Sequence, residues 1–191
     1  MTGSLQLPLR TARLELRALT PDDIDDHLRL VSNPAVVRYL YEEAMDRSAA
    51  VEHLARRLTH ELPDEGSWLN LAATVDGVYL GEVGVSLTSR AHRQCEIGYA
   101  FLPEAGGQGY ATEAAAAMVT LAFDELAAHR VAARLDARNA ASARLLTRLG
   151  MRHEAELREN ELVKGEWTDE SVYAITEQEW RTARGSAAPA S

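Results

Sequence analysis

Polar and apolar residues alternate over Arg13-Leu14-Glu15-Leu16-Arg17, the period of a half-buried strand, and the pattern turns helical at Thr20, an N-cap followed by Pro21-Asp22-Asp23. This helix is expected to run to about Ser32, where Asn33-Pro34 breaks it. Apolar residues at Val51, Leu54, Ala55, Leu58 and Leu62 predict an amphipathic helix from Ser48 to about Leu62, closed by Pro63. Leu69 to Val75 and Val78 to Leu87 read as a hairpin around Asp76-Gly77, a favoured two-residue turn, and a third strand runs from about Gln94 to Leu102.

A glycine-rich turn follows, and then Ala111, Ala114, Ala115, Met118, Leu121 and Ala122 mark one face of a helix ending near Ala128. Its small side chains allow it to lie close to a sheet. Val131, Ala133, Leu135 and Ala137 alternate as a strand, and Asn139 caps a helix with Ala141, Leu145 and Leu149 inward and Gly150 at its end. Strands over about 152–162 and 167–175 flank a Lys164-Gly165 turn, and the small, polar tail from Ala183 is expected to be disordered. The order is strand, two helices, three strands, helix, strand, helix, two strands. It predicts a single α/β domain over residues 1–182 with a mixed sheet. The strand–turn–helix–strand crossover should set its two strands side by side, with a ligand at their carboxyl ends.

With 191 residues, 46% of them hydrophobic and 26% charged, one domain has enough apolar surface for a real core. No apolar run approaches the ~20 residues of a membrane span, and Met1-Thr2-Gly3-Ser4-Leu5-Gln6 lacks a basic region leading into an apolar one, so a cytoplasmic protein is expected. The lone Cys95 excludes an internal disulfide and a zinc ribbon and reads as strand packing. A net charge of −9 argues against nucleic acid and anionic membranes as partners and leaves cationic substrates open. The histidines at 27, 53, 60, 92, 129 and 153 are scattered, and no metal site is expected.

The chemistry concentrates in the glycine turn between the third strand and the alanine-rich helix. Gly107 and Gly109 can adopt backbone angles closed to other residues, so that successive N–H groups converge on one point at the positive end of a helix. A phosphate or pyrophosphate suits such a point, and a plain tight turn is the alternative. A dinucleotide fingerprint would need a third glycine where Thr112 stands, and a P-loop would need Gly-Lys-Ser/Thr where Gly109 is followed by Tyr110. The ligand must be nucleotide-like but of another kind.

Four segments carry a resemblance: Glu96-Ile97-Gly98-Tyr99; Gly107-Gln108-Gly109-Tyr110-Ala111-Thr112-Glu113-Ala114; Asn139-Ala140-Ala141-Ser142 through Leu149-Gly150-Met151; and Lys164-Gly165-Glu166-Trp167-Thr168-Asp169 with Val172-Tyr173. Together they resemble the GNAT superfamily of N-acetyltransferases, and within it the RimJ/RimL-type ribosomal-protein N-terminal acetyltransferases. The resemblance implies a mostly antiparallel mixed sheet flanked by helices, acetyl-CoA as acetyl donor, direct transfer to an amine in a ternary complex, and a homodimer. The acceptor would be a protein N-terminus or a small cationic amine such as a polyamine, aminoglycoside or amino acid. A noncatalytic acyl-CoA-binding module is the alternative from another class.

The same resemblance implies that Ile97, Gly98, Tyr99 and Phe101 line the pantetheine arm and that Gly106, Gly107, Gln108, Gly109, Tyr110, Ala111 and Thr112 hold the pyrophosphate. Asn139 would cap its helix, alone or while also bonding pantetheine, and Arg144, with Arg148, is a candidate for the adenosine 3′-phosphate. Ser142 is implied at the departing sulfur, because Leu146 stands where many members carry a tyrosine. Glu96 and Glu82 are the carboxylates placed to act as base, unless water takes the proton or both lie at the surface. Tyr39, with Tyr41, and Trp167 and Tyr173 are the candidates for acceptor binding. Glu113 would support loop geometry. Two departures stand out: Glu104 and Gln108 occupy positions where the family often carries residues that grip phosphate, so recognition should rest on backbone N–H groups and the helix dipole.

Overall fold

The computed structural model describes residues 5–59 and 61–185. Eight strands form one sheet in the order β1-β2-β3-β4-β5-β6-β8-β7. β1 (Leu9–Arg10), β2 (Glu15–Ala18), β3 (Trp68–Val75), β4 (Val78–Ser89) and β5 (Gln94–Phe101) follow one another antiparallel. β6 (Arg130–Asp136) runs parallel to β5, and β8 (Glu166–Thr176) lies antiparallel between β6 and β7 (Arg152–Val163). The helices are α1 (Ile24–Val31), α2 (Pro34–Val37), α3 (Arg47–Ala55), α4 (Tyr110–Asp124), α5 (Ala140–Arg148) and α6 (Glu177–Gly185).

Strand alternation sorts the side chains into two cores. Leu69, Leu71, Val83, Val85, Ile97, Val131 and Ala133 cluster with Ala114, Ala115, Met118 and Ala122 of α4. The alanines bring α4 close to the sheet, as their size dictates. Ala72, Tyr79 and Leu102 cluster instead with Leu19, Leu30 of α1 and Leu54 of α3. Fully burying each such leucine stabilises the fold by about 1.5–3 kcal/mol. Cys95 is buried in strand packing, and burial raises its thiol to about 11.

Several elements differ from the sequence expectation. Asn33 does not merely end a helix: its side chain accepts from the Ala35 N–H at 2.9 Å and starts the short α2. α3 stops at Ala55, well before Leu62, and Ala141 is exposed while Leu146 joins Leu145 and Leu149 in the interior. Residues 183–185, expected in a disordered tail, belong to α6, whose Trp180 packs into the core. The rest of that tail and His60 lie outside the described residues. Among the described residues, no helix is long and apolar enough to cross a membrane.

The crossover through α4 does set β5 beside β6, but the two strands pair only at Gln94/Arg130, Cys95/Val131 and Glu96/Ala132. Beyond Glu96 they part. Among the described residues, the edge of Ile97–Phe101 that would face β6 has no ladder partner.

Candidate active site

One side of the parting is closed by the glycine turn and α4. Gly107 and Gly109 have φ of +76° and +80°, the left-handed values that a converging set of amides requires. Gly109 is the N-cap of α4, and among the described residues no side chain caps that end. The 15-residue helix therefore points its positive end at the turn.

A cation also stands here, one the sequence reading did not find. Arg13 donates to the Gln108 carbonyl at 2.8 Å and to Glu113 Oε2 at 2.7 Å, and its guanidinium lies 4.6 Å from the centre of the Tyr110 ring. Thr11 donates to the other oxygen of Glu113 at 2.6 Å. Burial raises the Glu113 pKa, but these hydrogen bonds and the Arg13 charge outweigh it and hold the carboxyl below its usual value. Arg13 thus clamps the turn from nearly 100 residues away in sequence, with its charge matched by Glu113. Glu104 faces away from this arrangement and pairs with Arg29 at 2.6 Å.

Across the parting, the Tyr99 hydroxyl of β5 meets Ser142 Oγ, in the first turn of α5, at 2.6 Å. Burial, opposed by the Ser142 hydrogen bond, raises Tyr99 to about 12. Asn139 accepts from the Ser142 N–H at 3.1 Å and so caps α5. Leu146, on the same helix, is buried in the core. Arg144 and Arg148 are exposed on α5.

On the opposite face of the sheet a cavity of about 760 Å³ opens between β3, β4 and β5 and the segment from α1 to α3. Gly84 and Gly98 are register partners that leave the sheet bare beneath Trp68: a Cβ on Gly98 would lie 3.4 Å from the indole, and one on Gly84 only 2.8 Å from Asn70 Oδ1. Glu42, Glu61, Asp64 and Glu82 line the cavity against Arg56 and Arg57, with Trp68 and Tyr41 as its aromatic walls. Tyr41 donates to Glu170 at 2.8 Å, and Arg134 donates to the same carboxylate at 2.7 Å.

Glu82, 4% exposed, accepts from three side chains: His27 Nδ1 at 2.5 Å and the Tyr79 hydroxyl at 2.7 Å on one oxygen, Arg57 at 3.1 Å on the other. Burial pushes its pKa up, yet His27, Arg57 and Tyr79 together take it below the usual carboxylate value. His27 Nε2 lies 2.9 Å from His53 Nδ1, and Arg57 donates its Nε–H to His53 Nε2 at 3.1 Å. The histidines at 27 and 53 are therefore partners, not scattered residues as the sequence suggested. Glu96 sits at the last paired position before the parting; burial raises its pKa, Arg134 at 3.9 Å lowers it and Glu170 raises it again, with a net rise.

Of the four aromatics expected to bind the acceptor, Tyr41 lines this cavity and Tyr39, Trp167 and Tyr173 do not. Trp167 is 62% exposed on the β7–β8 hairpin, Tyr173 packs at a tilt against His153 with ring centres 4.9 Å apart on the core side, and Tyr39 lies beneath Arg38. Tyr173 pairs with Ala133, whose side chain is in the α4 core, and alternation carries its ring to that face. Trp68, Asn70, His53 and Arg57 line the cavity, and His27 is buried behind His53.

An acetyltransferase (GNAT) domain model matches residues 13–152. The chain belongs to this family. It is 30% identical over 168 residues to the uncharacterized N-acetyltransferase YoaA of Bacillus subtilis, covering 87% of this chain and 95% of that one. It is 25% identical to the spermidine N(1)-acetyltransferase of Escherichia coli K12, over 81% of each. An acetyltransferase of the GNAT family from Bacillus anthracis superposes with a TM-score of 0.79 at 26% identity, over 88% of this chain and 98% of that one. The protein is thus a GNAT N-acetyltransferase that uses acetyl-CoA as its acetyl donor, on a mixed sheet flanked by helices.

Proposed function

We propose that this GNAT N-acetyltransferase acetylates a primary amine held in the cavity beneath Trp68, by direct attack on the thioester where β5 leaves β6. The observation that carries this reading is the parting after Glu96, because the same short stretch of β5 borders both the α4–α5 side and the cavity. Backbone N–H groups of Gly106 to Thr112 and the positive end of α4 would hold the pyrophosphate. The free edge of Ile97–Phe101 would pair with the pantetheine arm, and an N–H between Ile97 and Tyr99 would stabilise the thioester oxygen as charge develops on it. The paired hydroxyls of Tyr99 and Ser142 would give a proton to the departing sulfur. Arg144 and Asn139 keep the roles that the family resemblance implies.

For the acceptor, the four carboxylates against two guanidiniums and the aromatic walls suit a small cationic amine such as a polyamine. The spermidine-acetylating relative supports this choice. The RimJ/RimL-type motifs of the sequence favour a protein N-terminus as the second reading. Release of CoA measured across polyamines, aminoglycosides, amino acids and N-terminal peptides separates the two. Turnover confined to N-terminal peptides would overturn the polyamine reading, and release with no amine would overturn the proposed function.

A further inference from the structure

The cavity contains one group whose arrangement goes beyond holding an amine. His53, on α3, has its Nε2 turned toward Arg57 and Glu42, both of which line the cavity, and its Nδ1 toward His27. The protons in this chain are fixed by its far end. Arg57 aims its Nε–H at His53 Nε2, so that nitrogen carries a lone pair. The His53 proton therefore sits on Nδ1 and is donated to His27 Nε2 at 2.9 Å. His27 in turn donates from Nδ1 to Glu82. Every donor in the row Arg57, His53, His27, Glu82 has an acceptor.

We infer that His53 Nε2 is the base that takes a proton from the acceptor amine, with His27 and Glu82 as the positioning residues that hold its tautomer. This rests on the proposed amine acetylation. The Arg57 Nε–H already occupies the place of the incoming donor: a protonated amine is also a cationic N–H group and can replace it at Nε2. Once protonated, Nε2 can no longer accept from Arg57, but Glu42 Oε2 lies 3.4 Å away to receive its hydrogen bond, and Glu82 acts through His27 on the other side. Arg56, Glu61 and Asp64 on the cavity wall, Arg57 itself and Tyr79 on Glu82 are the other charged and titratable groups facing this row. The two carboxylates named from sequence are less suited to the task. Glu82 is held below its usual pKa by three donors, and Glu96 faces Arg134 outside the cavity lining.

The step balances. R–NH3+ gives one proton to His53 Nε2, and the freed nitrogen pair forms the C–N bond as the carbonyl π pair moves to oxygen. Collapse breaks the C–S bond. A second proton, from the tetrahedral nitrogen, reaches the sulfur through the Tyr99 and Ser142 hydroxyls, and His53 returns its own to solvent past the half-exposed Glu42.

Two measurements test the assignment. In the folded wild type at neutral pH, 15N NMR of the imidazoles should find His53 protonated on Nδ1 with Nε2 bare; a proton on Nε2 in the neutral ring overturns the inference without any assay of activity. With a turned-over amine and saturating acetyl-CoA, His53→Gln should lower kcat by about 100-fold and remove the acid limb of the pH–rate profile, with KM for acetyl-CoA unchanged. His27→Gln should keep the limb, displaced, and lose about 10-fold. If the limb survives in His53→Gln and vanishes in Glu96→Gln, Glu96 is the base and only this inference falls. A wild type that turns over no amine overturns the proposed function, and this step with it.

Discussion

The two sides of the β5–β6 parting are made of different materials. The side proposed for the acetyl donor is backbone: two glycines in left-handed conformation, the start of α4 and a strand edge, with Arg13 and Glu113 bracing the turn. The side proposed for the acceptor is side chain: Glu82, His27, His53 and Asn70, from β4, α1, α3 and β3, and Arg57, just past the end of α3, form one hydrogen-bonded group. A ligand common to a family can be gripped by main-chain groups that any sequence provides. An acceptor that varies between relatives needs groups that a substitution can change. The donor side should therefore respond to changes of backbone freedom, and the acceptor side to changes of charge.

The largest effect should come from Glu82→Gln. The amide removes the charge facing Arg57 and sets its own NH2 against donors, so unfolding in urea at neutral pH should show a loss of about 3 kcal/mol. The sign with pH is fixed: a carboxyl whose folded pKa is below its ordinary 4.5 adds stability that is complete above that value and lost as pH falls through the folded one. Acidification below 4.5 should thus narrow the gap between wild type and variant. A gap that stays constant on acidification would show that the charge of Glu82 contributes nothing to the network.

Gly109→Val should come next. A β-branched residue at φ +80° costs about 1–3 kcal/mol, which, if it is met by reshaping the turn, raises KM for acetyl-CoA by roughly 10- to 100-fold. KM for the amine should not move. If acetyl-CoA binds the variant within twofold of wild type, the main-chain account of the donor side fails.

This division also explains what could be read from the sequence. The hairpin at Asp76-Gly77, the alanine face of α4 and the Asn139 cap are local signals, and each appears where its residues predict it. α6 was missed because Glu177–Gly185 buries little beyond Trp180 and has no apolar stripe. The same limit hid the acceptor group: His27 and Glu82 are 55 positions apart, and no periodicity connects two polar residues that meet only after α1 has packed on β4. Arg13 was missed for the same reason, 95 positions from the carbonyl it bonds.

Arg13 and Gln108 give the smallest and finest test. Arg13→Ala leaves Glu113 as an unbalanced carboxylate within the first turn of α4, close to where a pyrophosphate would sit, and KM for acetyl-CoA should rise about 5- to 10-fold. If Arg13 acts by neutralising Glu113 and bracing the turn, adding Glu113→Ala should recover part of that loss. If it grips phosphate itself, the double variant should be no better than the single one, and a cationic side chain would have to join the donor side. Gln108→Ala should change KM by less than about twofold. Among the described residues the one side-chain bond of Gln108 is a 3.4 Å contact to the Glu104 carbonyl, so its amide is at the weak edge of hydrogen-bond range. A larger rise for Gln108→Ala than for Gly109→Val would invert the comparison, because it would mean that a side chain, and not the shape of the main chain, holds the donor.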